Sequence, residues 1–366
     1  MPLDIEQFWK DDELAHKDNC FAPAPQVALG IRMSDECVFA ELGEEGNPWD
    51  RTPRERRLDL NRRYNDKAEK IVGRRLLRET LPPEDAALPY VKRIGEVFGG
   101  EYLMHNHTEW LTESIPDAAA LEKTLDRVET MDLREFMLPA NWEAEKKRVF
   151  ETYGTRPWSH HGIRGPVTLA CSLMGTTNFL YFLMDEDELV DRFADCIADV
   201  TIRMTEIMDA EAGKKPGEAR GFSFADDNCC LLTPDLYERF GYPILKKVFD
   251  HFCPDPADWR YQHSDSDMAH ILPYLGAVHL HGVNFGPNVL VPEIRKYLPR
   301  ARIDGCIAPF SFMRNDREAL TRETLRDIAD GFEYGGVNIT TAGSINNGSS
   351  LESMRFMMEL IQNNRR

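Results

Sequence analysis

The sequence lacks a basic surplus. Lys and Arg number 44 against 62 Asp and Glu, a formal net charge of −18. That argues against nucleic acid as the main partner, because phosphate contacts need a basic surface, and it disfavours an anionic membrane surface as well. A signal peptide is also missing: the opening MPLDIEQFWKDDELAHKD has neither a basic start nor an apolar stretch, so a cytoplasmic protein is expected. The longest uncharged run, Gly165 to Met184, is broken by Thr168, Ser172, Gly175, Thr176, Thr177 and Asn178. It reads as a buried strand running into a helix and not as a membrane span. There is no CxxC and no HExxH, and the eight cysteines follow no regular spacing, as in a protein with reduced thiols. With no GxGxxG after the first strand and no GxxxxGK[ST] anywhere, nucleotide-binding doubly wound folds lose support.

What is present is a globular composition, 42% hydrophobic and 29% charged, in 366 residues, which is enough for a large core. Residues 1–50 read as an irregular arm with turn signals at Pro23, Pro25, Gly43 and Gly46. Arg51 to Arg78 carries eleven Lys/Arg against four Asp/Glu and has Thr52-Pro53 as a start signal, so one long basic helix or two short ones are expected there. From there on, short apolar runs alternate with helix-like stretches: GFSFADDN then TPDLYERFGYPILKKVFDHF, WRYQH then SDMAHILPYLG, AVHLHGVN then PEIRKYL, ARIDGCIAP then TRETLRDIADGF, GVNITTAG then SLESMRFMMELIQ. Each parallel connection needs a crossover helix, so this alternation predicts an α/β fold, a closed (β/α)8 TIM barrel, over residues 86–366. An N-terminal helical extension fills residues 1–85.

Barrel enzymes of this kind carry their reacting groups where strands end and loops begin. Here those positions include Ala225 to Cys230, Gln262 to Asp267, Asn284 to Pro287, Asp304 to Cys306 and Thr341 to Gly348. Neighbouring residues at a strand end point opposite ways, so one of Asp226 and Asp227 is expected to reach the centre as acid, base or substrate anchor. The segment from His263 to Asp267 packs an imidazole and two carboxylates into five positions, which nominates His263 and Asp265 for catalysis. Asn228, Gln262, Asn284, Ser344 and Asn346 are candidate substrate contacts. So is His107, in the run His105-Asn106-His107-Thr108-Glu109-Trp110. His263 and Asp265, with Cys229 or Cys306, would offer a zinc ion mixed N, O and S ligands and leave one position open.

The order GPVTLA, FADDN before TPDLYERFGYPILKKVF, HSDSD before ILPYLG, and PEIRKYLPRARIDG resembles the uroporphyrinogen decarboxylase superfamily over about residues 160–366. The resemblance implies a (β/α)8 barrel that acts either as a tetrapyrrole decarboxylase or as a methyltransferase working with a corrinoid (cobalamin) protein. Two departures point away from the decarboxylases. Their Arg-Gln-Ala-Gly-Arg motif is replaced by APQVALGIRMSDE, with only Arg32 nearby, and their P-[FYW]-T-[LV]-x-x-Y signature becomes Pro166-Val167-Thr168-Leu169-Ala170-Cys171-Ser172. The zinc methyltransferases that act on thiols use His-x-Cys and a further Cys after the last strand. Here His263 is kept, Asp265 replaces the first Cys, and Gly343-Ser344 stands where the second would be. What remains resembles the branch containing O-demethylase methyltransferases, which move a methyl group from an aryl methyl ether to a separate corrinoid protein. The expected partners are therefore a small methyl donor and that protein, with zinc as a candidate metal and a homodimer left open. The alternatives are a decarboxylase or lyase acting on a small carboxylic acid or tetrapyrrole, and a non-enzymatic tetrapyrrole or corrinoid binder.

Overall fold

The computed structural model describes residues 2–105, 108–185 and 187–366. Its strands are β1 (Ala28–Leu29), β2 (Tyr102–His105), β3 (Thr108–Leu111), β4 (Gly162–Arg164), β5 (Phe222–Ala225), β6 (Arg260–Ser264), β7 (Gly282–Phe285), β8 (Arg302–Asp304) and β9 (Val337–Ile339). The chain divides into two compact units. One holds residues 1–81, 263–272 and 281–366, the other residues 82–262 and 273–280.

In the first unit, β1 pairs with β9, β9 with β8 and β8 with β7, all in parallel; Ala28 lies opposite Asn338, Asp304 opposite Asn338, and Val283 opposite Ile303. Helices follow the strands, including Val291–Tyr297 after β7, Arg317–Tyr334 after β8 and Leu351–Asn363 after β9. Asp316 and Ser350 start the last two by accepting backbone N–H groups of Ala319 and Ser353. Val337, Ile339, Ile303, Met354, Met357 and Met358 are buried, so the methionines of the last helix are core.

The basic segment forms one helix, Arg54–Val72, which buries Leu60, Tyr64, Ala68 and Val72 at four-residue spacing and ends at Gly73. Its charges are paired locally: Arg63 with Glu44, Lys67 with Glu41, and Arg75 with Asp66, Glu69 and Glu79. The first fifty residues are more ordered than their turn signals suggested. Helices Ile5–Ala15 and Cys37–Leu42 flank β1, and Asp4 caps the first. Asp11 and Asp12 lie on its buried face, a pattern that hydrophobic periodicity does not reveal. Asp12 accepts the N–H of Leu29 at 2.8 Å, so a carboxylate satisfies a strand donor.

The second unit contains the parallel pair β4 and β5, with Gly162 opposite Ser223, and the antiparallel hairpin β2–β3. Its core is aromatic: Phe179 packs edge-on against Phe240 at 5.0 Å, and Phe98 against Phe193 at 5.8 Å. The uncharged run from Gly165 is not strand then helix, as its apolar character suggested. It is two helices, Pro166–Met174 and Thr176–Asp185, bent by 106° across Gly175. The strand comes just before them, at Gly162–Arg164, and Pro166 at the first helical position sets the helix start. No single helix among the described residues is long and apolar enough to cross a membrane.

Candidate functional site

In the first unit the site is built around His263, in β6, and the residues that follow the neighbouring strands. Asn284 of β7 is buried and makes four hydrogen bonds. Its Nδ2 donates to the carbonyls of Asp304 and, at 3.0 Å, Thr341. Its Oδ1 accepts from the N–H of Gly343 at 3.1 Å and meets His263 Nδ1 at 2.8 Å. Two donors and two acceptor lone pairs exhaust a primary amide, so no side-chain position of Asn284 is left for a substrate. A ring nitrogen of His263 and a carboxylate oxygen of Asp265 lie within 4.8 Å of one another. Two side chains of this kind, close together at one strand end, are suited to hold a divalent cation or to pass a proton.

Asp265 is exposed and owes its place to Gly343. A Cβ added at Gly343, whose φ is +116°, would stand 3.0 Å from Oδ2 of Asp265 and 3.1 Å from its Cβ. The loop after β9 is held from below by the N-terminal segment: Ser34 Oγ donates to the Ile345 carbonyl at 3.1 Å and Asn347 Oδ1 accepts the N–H of Ala40 at 3.2 Å. Ser344 on this loop is exposed and Asn346 half-buried. Asp304 is bound by Arg302 through both oxygens, at 2.8 and 2.9 Å, and by Asn338 at 2.7 Å, so its charge is spent inside the unit.

Cys306 is buried, with its thiol directed to the carbonyl of Val289. Burial, and then the nearby Asp327 carboxylate, push this thiol far above its ordinary range.

In the second unit, Asp226 and Asp227 part ways as their adjacency implies. Asp226 is fully buried and clamps the start of helix Pro166–Met174: it accepts the N–H of Thr168 at 2.8 Å, the Thr168 hydroxyl at 2.8 Å and the N–H of Val167 at 3.3 Å. Burial raises its pKa to about 6, the Thr168 and Val167 hydrogen bonds notwithstanding. Gly165 permits this approach, since a Cβ there would fall 2.1 Å from the Cβ of Asp226. Asp227 opens the short turn Asp227–Leu231 and is half-buried. Asn228 donates its N–H to Thr168 Oγ1 at 3.0 Å, and Cys229 is buried with its thiol donating to the Asp226 carbonyl at 2.8 Å. Gln262 is fully buried at the end of this unit's share of β6, beside Tyr237. Asn106 and His107 lie outside the described residues.

Sequence reasoning did not find Thr168, Gly165, Gly343 or the saturated role of Asn284. Thr168 and Gly165 were legible as part of GPVT, but nothing local says which carboxylate they receive. At the opposite end of β4, Asp209 accepts from Ser159, and its carboxylate lies 2.9 Å from His161 Nε2 while His161 Nδ1 faces the Gly221 carbonyl. The N-terminal ends of such strands are where a fold is stabilised, not where it reacts.

The model of the uroporphyrinogen decarboxylase (URO-D) family matches residues 161–364. No curated protein sequence matches the chain. Among solved structures, a methyltransferase from Methanosarcina mazei superposes with a TM-score of 0.58 and 16% sequence identity, over 96% of this chain and 97% of that one. At that identity the likeness speaks for the fold, and the fold class is the (β/α)8 barrel expected from the alternation of strands and helices. By the match over 161–364, this chain belongs to the uroporphyrinogen decarboxylase family.

Proposed function

We propose that this chain is a methyltransferase that takes a methyl group from a small methylated donor of the aryl methyl ether class and passes it to a corrinoid protein. His263 and Asp265 are its central reacting groups. The observation that supports the reading most is the pairing of an oriented imidazole with a carboxylate in the loop after β6. The likeness to a methyltransferase over nearly the whole of both chains points the same way. Asp227 is assigned to catalysis from its place directly after β5.

Transfer of a methyl group from an ether oxygen to a reduced cobalt centre breaks the methyl–oxygen bond and leaves an alkoxide or phenoxide. That charge must be met by a proton or by a Lewis acid. The nitrogen and oxygen donors of His263 and Asp265 fit a divalent cation such as zinc, which when bound would supply the Lewis acid. Without one, His263 delivers the proton, and Asp265 holds the ring's charge in balance.

The test is a methyl-transfer assay with aryl methyl ethers and a reduced corrinoid protein, read by the absorbance of methylcobalt. A methylcobalt signal that disappears in His263→Ala supports the reading. No signal with any donor, together with carbon dioxide release from small carboxylic acids in a corrinoid-free sample, replaces it with the decarboxylase.

A further inference from the structure

The geometry points to Asn284 as a positioning residue that fixes His263 in the tautomer carrying its proton on Nδ1, so that the lone pair sits on Nε2. This deepens the reading of His263 given above and rests on it for its purpose, although the tautomer can be measured without any methyl transfer.

The backbone around Asn284 fixes the orientation of its amide. The Asp304 and Thr341 carbonyls can only accept, so the atom of Asn284 that faces them must be its NH2. The N–H of Gly343 can only donate, so the atom facing it must be the amide oxygen. Three backbone groups on two different strand ends thus agree on one orientation of the amide. The reversed orientation would set oxygen against two carbonyls and NH2 against an N–H. With the orientation settled, the atom 2.8 Å from His263 Nδ1 is an acceptor, and Nδ1 must be the donor. A neutral imidazole that donates from Nδ1 carries its lone pair on Nε2.

Burial makes the constraint strong. Asn284 is 7% exposed, and a reversed amide would lose its three hydrogen bonds to the backbone in a place where water cannot replace them. The sheet thus reaches the ring through Asn284. This is the arrangement in which a second residue sets both the tautomer and the direction of a ligating or proton-accepting histidine.

The experiment uses the full chain with 15N-labelled histidine, free of added metal, at about pH 8.5, well above the usual imidazole range. Two-bond 15N–1H correlations distinguish the two tautomers, and His263→Gln identifies the His263 signals. The expected result is His263 with a protonated Nδ1 and a pyridine-like Nε2 in the wild type. Finding the proton on Nε2, or an even mixture, overturns the inference without any variant of Asn284. In Asn284→Ala the Nδ1–H preference is expected to collapse toward a mixture, and zinc affinity measured by calorimetry to fall roughly 10- to 100-fold. An Asn284→Ala protein that is folded by circular dichroism and still holds His263 in the Nδ1–H form overturns the assignment. If the wild type shows the tautomer but yields no methylcobalt, the positioning role stands and the methyltransferase reading falls.

Discussion

Asp265 occupies space that any side chain at position 343 would need: its Oδ2 lies 3.0 Å from where a Cβ on Gly343 would stand. Gly343→Ala must therefore displace Asp265 or shift the loop after β9, and it must also hold an alanine at φ +116°. A loss of about 1 to 3 kcal/mol in urea unfolding is expected, together with weaker zinc binding by calorimetry. An unchanged zinc affinity in a folded Gly343→Ala protein would separate Asp265 from the metal site.

If His263 and Asp265 hold a divalent cation, His263→Ala and Asp265→Ala each lower the zinc content of protein equilibrated with zinc and then desalted, as read by elemental analysis. Asp265→Asn, which keeps an oxygen donor but not the charge, is expected to fall between the wild type and Asp265→Ala. Equal zinc content in all four proteins would leave His263 to proton transfer alone.

Asp226 carries a pH signature. Its folded pKa, about 6, is raised above the unfolded carboxylate value by burial. Between the two values the unfolded chain has already lost the proton that the folded chain keeps, so its contribution is fully present at low pH and is lost as pH rises from about 4 through 6. The stability of the wild type relative to Asp226→Asn is expected to fall by on the order of 2 to 3 kcal/mol across that window. Chemical denaturation at a series of pH values checks it, and a flat difference would contradict it.

Asp209 has the opposite sign. Burial acts to raise its pKa, but hydrogen bonds from Ser159 and His161 and the His161 and Lys214 charges win, and the carboxylate is held below its usual range. Its stabilising contribution is present above the unfolded carboxylate pKa and is lost as pH falls through the folded value. The advantage of the wild type over Asp209→Asn is therefore expected to shrink as denaturation is repeated at pH values falling below about 4.

Asp12 offers a purely structural test. Asp12→Ala leaves the Leu29 N–H without its acceptor in a buried place, at an expected cost of about 1 to 3 kcal/mol in unfolding free energy. A neutral effect would mean that another group reaches that N–H.

The strand–helix alternation after residue 220 was legible because the parallel strands are short apolar runs bounded by turn residues, and the helices between them carry a clear stripe. The basic helix was legible for the same reason, since Leu60, Tyr64, Ala68 and Val72 recur every four residues. The helix at Pro166 was not: eight of its nine residues are buried, and a helix buried on nearly all sides has no period to read. The helix at Ile5 failed for the reverse reason, because its buried face includes Asp11 and Asp12. His263 and Asp265 stood out by density of functional groups. Asn284 gave away its location but not its task, because the three backbone groups that saturate it come from residues 304, 341 and 343. Asp226 and Asp227 could be separated only in principle, by strand alternation; which one turned inward depended on Thr168, some sixty residues away.

The grip of Asp226 on Val167 and Thr168 has a mechanical side. It welds the tip of β5 to the leading turn of the helix behind it, so the peptide that bears Asp227 cannot tilt without dragging that turn along. Amide exchange at Thr168 thereby becomes a gauge of how firmly that junction holds.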